Sequence, residues 1–467
     1  MSEEKKVENK LTLSPGALAG YFLGGMFPCG WVLVITGYYL MAFMTECLHL
    51  DTTIAATAYS AVQWWKLIGM VLSGFFIDGI ALKSGRYRGW NLIMGIVMGI
   101  SFPLAFMDFG IKNQATAAIV VFVLEAILML AYNVYWTALR TLPAKMGKTS
   151  QDINWLNVMS AAGGATPSLL WGFIAAGLVA WSSAKFGASN QYMGICLIFG
   201  AVIIICAIIM FNVAKKYDGP ENAVSKDAMS GQKQKNIGLV EILKNLSGPM
   251  IPYFISQTLA SAEAGFFNTL LVYYCTYVLK NPNISAKILM VQSLISLLGS
   301  FLVPSLTKFL TKKASHILAH GVYAVCYVVL GIFGTSVAVF YAVRILMSVV
   351  GCVTNVVMYG FPLDIADYNE MKGLDPKRGI LTAIGGTTIR LGFAASTTIA
   401  SFGLAAIGYQ NGAPVDAAME KKIVLLFVGG PAILAALSAI IMLFYKVDER
   451  EIDRYRAERA AKKAAEA

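Results

Sequence analysis

The sequence predicts an all-α membrane protein of twelve transmembrane helices, arranged as two bundles of six. Three observations predict it. Of 467 residues, 57% are hydrophobic and only 13% charged, about half the charged share usual in soluble domains. The apolar residues gather in runs of about 20–30, long enough to cross a hydrocarbon core of about 30 Å. The runs divide six and six around residues 214–248, the least apolar internal stretch. This balance excludes a disordered chain and argues against a soluble enzyme.

The N-terminal residues are polar and mixed in charge. They lack the apolar core and cleavage site of a signal peptide, so the segment is expected to stay attached and cytoplasmic. Spans follow near 17–45, 53–80, 90–109, 115–140, 153–183 and 190–213. Residues 214–248 read as a linker. Further spans follow near 249–279, 285–309, 314–334, 337–362, 379–408 and 422–446. The expected organisation is an N-terminal bundle over 1–213, a cytoplasmic linker over 214–248, a C-terminal bundle over 249–446 and a cytoplasmic tail over 447–467. With both termini inside, 28 of the 37 lysines and arginines fall in cytoplasmic segments. The net charge of +11 is therefore mainly a topology signal and not the footprint of nucleic-acid binding. The tail reads as a solvated helix of mixed charge with no chemistry. The seven cysteines form no CxxC pair and read as small buried hydrophobes, without disulfide or metal.

Ionisable residues inside spans are costly and need a reason. The interior set is Lys66, Glu125, Glu263, Arg344 and Arg390. Tyr59, Gln63, Lys66 and Ser73 share one helical face. Lys66 reads as an anion contact or a built-in cation, or as an ion-pair partner of Glu125. Glu125 shares a face with Met129, Tyr132, Trp136 and Arg140. It is a candidate coupling-proton carrier, or a buried neutral acid. Arg390 suits a forked carboxylate contact, or pairing with an acid such as Glu263. Glu263, with Gln257, Ser261 and Asn268, is read as lining a cavity. Arg344 is expected to snorkel from the end of its span. His49, His316 and His320 are expected to be interfacial, as are Trp90, Trp155 and Trp181. Trp136 is the favoured ring for stacking on a sugar, followed by Trp64 or Trp65.

Two loops carry motifs. After the second span stand Gly74-Phe-Phe-Ile-Asp78 and Lys83-Ser-Gly85-Arg86-Tyr87-Arg88-Gly89-Trp90. After the tenth stand Pro362-Leu-Asp364-Ile-Ala-Asp367-Tyr368-Asn-Glu370-Met-Lys372 and Lys377-Arg378-Gly379. With six plus six spans around a central loop, they resemble the glycoside–pentoside–hexuronide cation symporters of the major facilitator superfamily, the family of melibiose permease. The resemblance implies that Asp78, Arg86, Asp364, Asp367, Glu370 and Arg378 form conformational gates. It implies that Trp136 keeps a sugar-stacking tryptophan, that Tyr132 replaces an acid beside it, and that Arg390 keeps a helix-eleven charge. The family's two cation-binding carboxylates fall at Lys66 and Met70, and its helix-one acid near Gly30, so those acids are gone.

The expected function is secondary transport of a sugar, glycoside or sugar acid by alternating access, with an anionic uronide favoured by the two cations. Sodium coupling is atypical or absent, and a proton is preferred to sodium. The substrate contacts expected are Trp136, Tyr132, Lys66, Arg390, Trp64 and Gln63. A lysolipid or amphiphile carrier and a transporter-like substrate sensor are the alternatives. An enzyme is not expected, because no HExxH, GxSxG or Walker motif is present. No cofactor, metal or nucleic-acid partner is expected, only small-molecule substrate and membrane lipid, and the protein is expected to be a monomer in the plasma (cytoplasmic or inner) membrane.

Overall fold

A computed structural model describes residues 11–80, 82–219, 248–306, 311–358, 360–374, 378–410 and 415–466. Among them there are helices and no strands. Among the described residues twelve long helices follow in order, eight of them long and apolar enough to cross a membrane. The first six are α1 (Pro15–Cys47), α2 (Thr52–Gly79), α3 (Arg88–Ala105), α4 (Gln114–Thr141), α5 (Ser150–Phe186) and α6 (Gln191–Val213). The next six are α7 (Met250–Tyr273), α8 (Asn283–Leu306), α9 (Lys312–Phe333), α10 (Val337–Val357), α11 (Arg378–Ala406) and α12 (Ala417–Met442). A short helix, Phe361–Met371, links α10 to α11, and α13 (Glu449–Glu466) ends the chain.

Side-chain caps start many of these helices. Ser14 accepts from the Ala17 amide ahead of α1, with Pro15 at the first helical position. Asp51 accepts from the Thr53 and Ile54 amides at α2. Thr149 and Asp152 form a reciprocal capping box at α5. The two sequence halves repeat one unusual device. α1 ends in a π-helical turn, Phe43–Cys47, and α7 runs into another, Tyr274–Val278. Each is followed two residues on by a non-glycine residue in the left-handed region, His49 (φ 51°) and Lys280 (φ 54°).

The chain divides into two compact units. Unit 1 comprises Met1–Lys233, Thr269–Leu294 and Ser401–Met419. Unit 2 comprises Gln234–Asn268, Ile295–Ala400 and Glu420–Ala467. Lipid supplies little hydrophobic drive between helices, so close approach through small residues does much of the packing. In unit 1, α3 and α6 cross at Gly99 and Gly200, where a Cβ on Gly99 would lie 2.6 Å from the Gly200 carbonyl oxygen. Trp31 stacks on Phe199 with centroids 3.8 Å apart. In unit 2, α11 passes so close to α7 at Gly392 that a Cβ there would collide with the Thr258 carbonyl.

The structure corrects several sequence expectations. His316 and His320 are buried rather than interfacial, with rings 4.4 Å apart. His316 Nε2 shares hydrogen bonds with Ser256 (2.9 Å) and Ser438 (3.0 Å). Trp90 is buried against Phe76, Ile77 and Val134. Arg344 does not snorkel: it is 5% exposed and lies over the Phe267 ring, 3.6 Å from its centroid. The tail helix is not simply solvated, because Ile452 enters the core formed with Phe361, Ile365 and Tyr445. In each case the sequence shows a residue near a helix end, while the neighbouring helices decide its exposure.

Candidate functional site

In unit 1 the expected polar stripe of α2 meets α4. Lys66 Nζ donates to Gln63 Oε1 at 3.0 Å, and Gln63 is buried. Asn133 Nδ2 donates to the Lys66 carbonyl at 3.2 Å, crossing where α2 presents Gly69. Glu125 is fully buried; the Thr36 hydroxyl of α1 lies near its carboxyl, but outside hydrogen-bond geometry to either oxygen. Lys66 lies within electrostatic reach of it. Thus Lys66, Gln63 and Glu125 come together, with no direct Lys66–Glu125 hydrogen bond. Lower on the same contact, Ser73 Oγ and Thr137 Oγ1 are 2.9 Å apart.

The aromatic candidates separate. Tyr132 is buried and its ring lies nearly parallel to Trp136, offset, with centroids 6.2 Å apart. The Arg140 guanidinium sits 4.5 Å from the Trp136 centroid. Trp136 therefore has neighbours one helical turn before and one turn after it. Trp64 is exposed, whereas Trp65 donates its indole N–H to the Ala126 carbonyl at 2.8 Å. Arg390 is half-buried on α11 and belongs to unit 2.

Of the expected gate residues, Asp364 and Asp367 acquire named partners. Lys312 Nζ pairs with Asp364 Oδ2 at 2.6 Å. Arg456, from α13, reaches Asp364 Oδ1 at 3.0 Å and Asp367 Oδ2 at 2.6 Å. Burial works against the Arg456 charge, but the two carboxylates outweigh it and hold the guanidinium above its usual range. These residues line a cleft of about 380 Å³ with Gly360 and Leu363. Glu370 is half-buried, and Arg86 lies 5.6 Å from the Tyr87 ring centroid. The side chains of Asp78 and Arg378 lie outside the described residues.

Sequence reasoning missed three groups. Asp218, read as linker, is buried, and its Oδ2 accepts the amides of Tyr87 (2.6 Å) and Arg88 (2.8 Å) at the start of α3. Gly85 makes that approach possible with φ +125°, and its Cα faces the Asp218 carbonyl. Arg456 was hidden in a mixed-charge tail. Glu46 was hidden at a span end: in the π-turn of α1 it accepts from Tyr277 (2.7 Å) and from Tyr409. Thr45 adds bonds to Glu46 (3.1 Å) and Tyr273 (2.6 Å). Burial, and then the Glu46 carboxylate, push the Tyr409 hydroxyl up, so it stays a donor. Glu46 lies in the π-turn of α1 and Tyr277 in the matching turn after α7, and π-turns gather at functional sites, but neither turn is marked in the sequence.

Among the described residues, eight helices are long and apolar enough to cross a membrane, which is the frame of an integral membrane protein. A family model described as MFS/sugar transport protein matches residues 21–449, and the chain belongs to that family. It is 22% identical over 450 residues to the putative glycoside/cation symporter YagG of Escherichia coli, covering 93% of this chain and 92% of that one. It is 22% identical to the isoprimeverose transporter of Lactiplantibacillus pentosus, covering 91% and 87%. Its fold is similar to the crystal structure of the nucleoside transporter NupG, with TM-score 0.63 at 16% identity, covering 93% and 99%.

Proposed function

We propose that the protein carries a sugar acid or related glycoside across the membrane by alternating access, with its termini cytoplasmic and residues 1–213 and 249–446 as the moving halves. Lys66 and Arg390 are the cationic substrate contacts, Gln63 orients Lys66, and Tyr132, Trp136 and Trp64 supply aromatic surface. The relatives named as a glycoside symporter and an isoprimeverose transporter support the substrate class.

One observation carries the charge assignment: Lys66 and Glu125 are close enough to interact but do not bond directly. Charge balance then sets the order. A proton taken up by Glu125 leaves the Lys66 ammonium to match an anionic substrate. Release of the anion returns Lys66 to the Glu125 carboxylate. An ammonium on α2 repels a sodium ion, which favours a proton over sodium as the coupling ion.

The test is thermal stability of the purified protein with a matched neutral glucoside and glucuronide. Binding raises stability by about 2.7 kcal/mol at a hundredfold excess over Kd. A shift with the glucuronide alone, lost in Lys66→Ala and Arg390→Ala, is expected. A shift with the neutral sugar alone refutes the anionic reading. No shift with either moves the protein toward amphiphile transport, and binding without counterflow toward a sensor.

A further inference from the structure

We propose that Glu263, inside the helix bundle of unit 2, is a second proton-binding site, opposed by Arg344 and separate from the Lys66–Glu125 pair. Nothing in the transport reading above requires it, and it does not depend on the identity of the substrate.

Glu263 sits near the middle of α7 and is 6% exposed. Its Oε1 accepts from the Tyr327 hydroxyl of α9. Arg344, on α10, is also buried and lies within electrostatic reach of the carboxyl. A static buried ion pair would bring guanidinium nitrogens onto the carboxylate and satisfy both groups. Arg344 does otherwise. Its Nη1 donates to the Met347 sulfur at 3.6 Å, its Nε has no hydrogen-bond partner, and its plane rests on Phe267. A cation over an aromatic face is held by the ring quadrupole without needing a carboxylate. The two groups are thus buried in one bundle but held apart.

Among the described residues, the titratable groups that act on the acid and its neighbour Tyr323 come from α9 and α10. From α9 come Tyr327, Tyr323 and Cys326, and from α10 Arg344 and Cys352. α11 and α12 meet α7 around Gly265 and Phe266 through Ser396, Thr397 and Gly430, which do not titrate. Beyond Tyr323 the ring of His320 follows at 5.2 Å, then His316, which is bonded to Ser256 and Ser438. Both histidine Nδ1 atoms lack a hydrogen-bond partner. Tyr323, His320 and His316 therefore lead from the acid along α9 to its Lys312 end.

The step is an ionisation. The Glu263 carboxyl O–H breaks, the proton leaves toward water, and the electron pair stays on the carboxylate. Arg344 then leaves Phe267 for the carboxylate and draws α10 toward α7. Rebinding of the proton returns Arg344 to the ring. Unit 2 thereby acquires a charge-dependent helix contact of its own.

Infrared difference spectra of the purified full-length protein, acid minus alkaline and without substrate, test this. The wild type is expected to show a protonated-carboxyl C=O band that disappears at alkaline pH. Glu263→Gln removes that band, while Glu125→Gln leaves it in place. Tyr327→Phe moves it to higher frequency, because the carboxyl loses a hydrogen bond. Should Glu263→Gln fail to fold, the Tyr327→Phe shift decides alone. Wild-type spectra with no such band, or a band that neither Glu263→Gln nor Tyr327→Phe alters, overturn the proposal.

Discussion

Removing the charge at Lys66 is expected to destabilise the protein more than removing it together with its counter-charge. Glu125 has no exposed surface, the Thr36 hydroxyl near it falls outside hydrogen-bond geometry, and Lys66 is the cation that acts on it among the described residues. Breaking a buried pair from one side costs about 3–5 kcal/mol. A carboxyl can escape part of that by taking a proton, and Lys66 is only half-buried. A loss of about 2–3 kcal/mol is therefore expected for Lys66→Met. At roughly 2–4 °C per kcal/mol for a domain of this size, the melting temperature falls by about 4–12 °C. Glu125→Gln in the same chain should recover most of it, since an amide and a methionine leave no uncompensated charge. The assay is thermal unfolding of the two single variants and the double variant at one pH and one detergent. Coupling above about 0.5 kcal/mol supports the pair. Strictly additive losses refute it and leave Lys66 and Glu125 as independent groups.

Three further outcomes are expected. Tyr277→Phe removes a hydroxyl bound to the Glu46 carboxylate, worth about 1.5–3 kcal/mol for a bond to a charged group. A membrane-impermeant thiol reagent should then label the neighbouring buried Cys47 about 10–100-fold faster, and unchanged labelling shows that the Tyr277–Glu46 bond does not shield this turn. Arg456→Ala costs about 1–2 kcal/mol, since the guanidinium is 38% exposed while both acids are buried. Amide exchange in α13 should rise about 5–30-fold, and equal exchange shows that Ile452 alone docks the helix. Gly392→Leu should abolish monodisperse protein, because its Cβ has no room beside Thr258, whereas Gly386→Leu meets open space and is tolerated; equal yields refute the close α7–α11 packing.

The helix order, the membrane class and the polar stripe of α2 were legible in the sequence. Run length against bilayer thickness, and the helical period, are local properties that any window of the chain displays. The family followed from two loop motifs, whose acids and bases stand close together in sequence. Asp364 and Asp367 could thus be singled out, but not their partner Arg456, which lies far along the chain among look-alike charges. For the same reason Asp218 passed as linker and Glu46 as the end of a span. Arg344 and the histidine pair were misplaced because distance from a helix end predicts exposure only for a helix with no neighbours. Which side chains are buried, which carboxyl meets which hydroxyl, and which cation stands apart from its acid are contacts between helices. Only tertiary packing decides them, because it alone sets the distances on which desolvation and charge pairing depend.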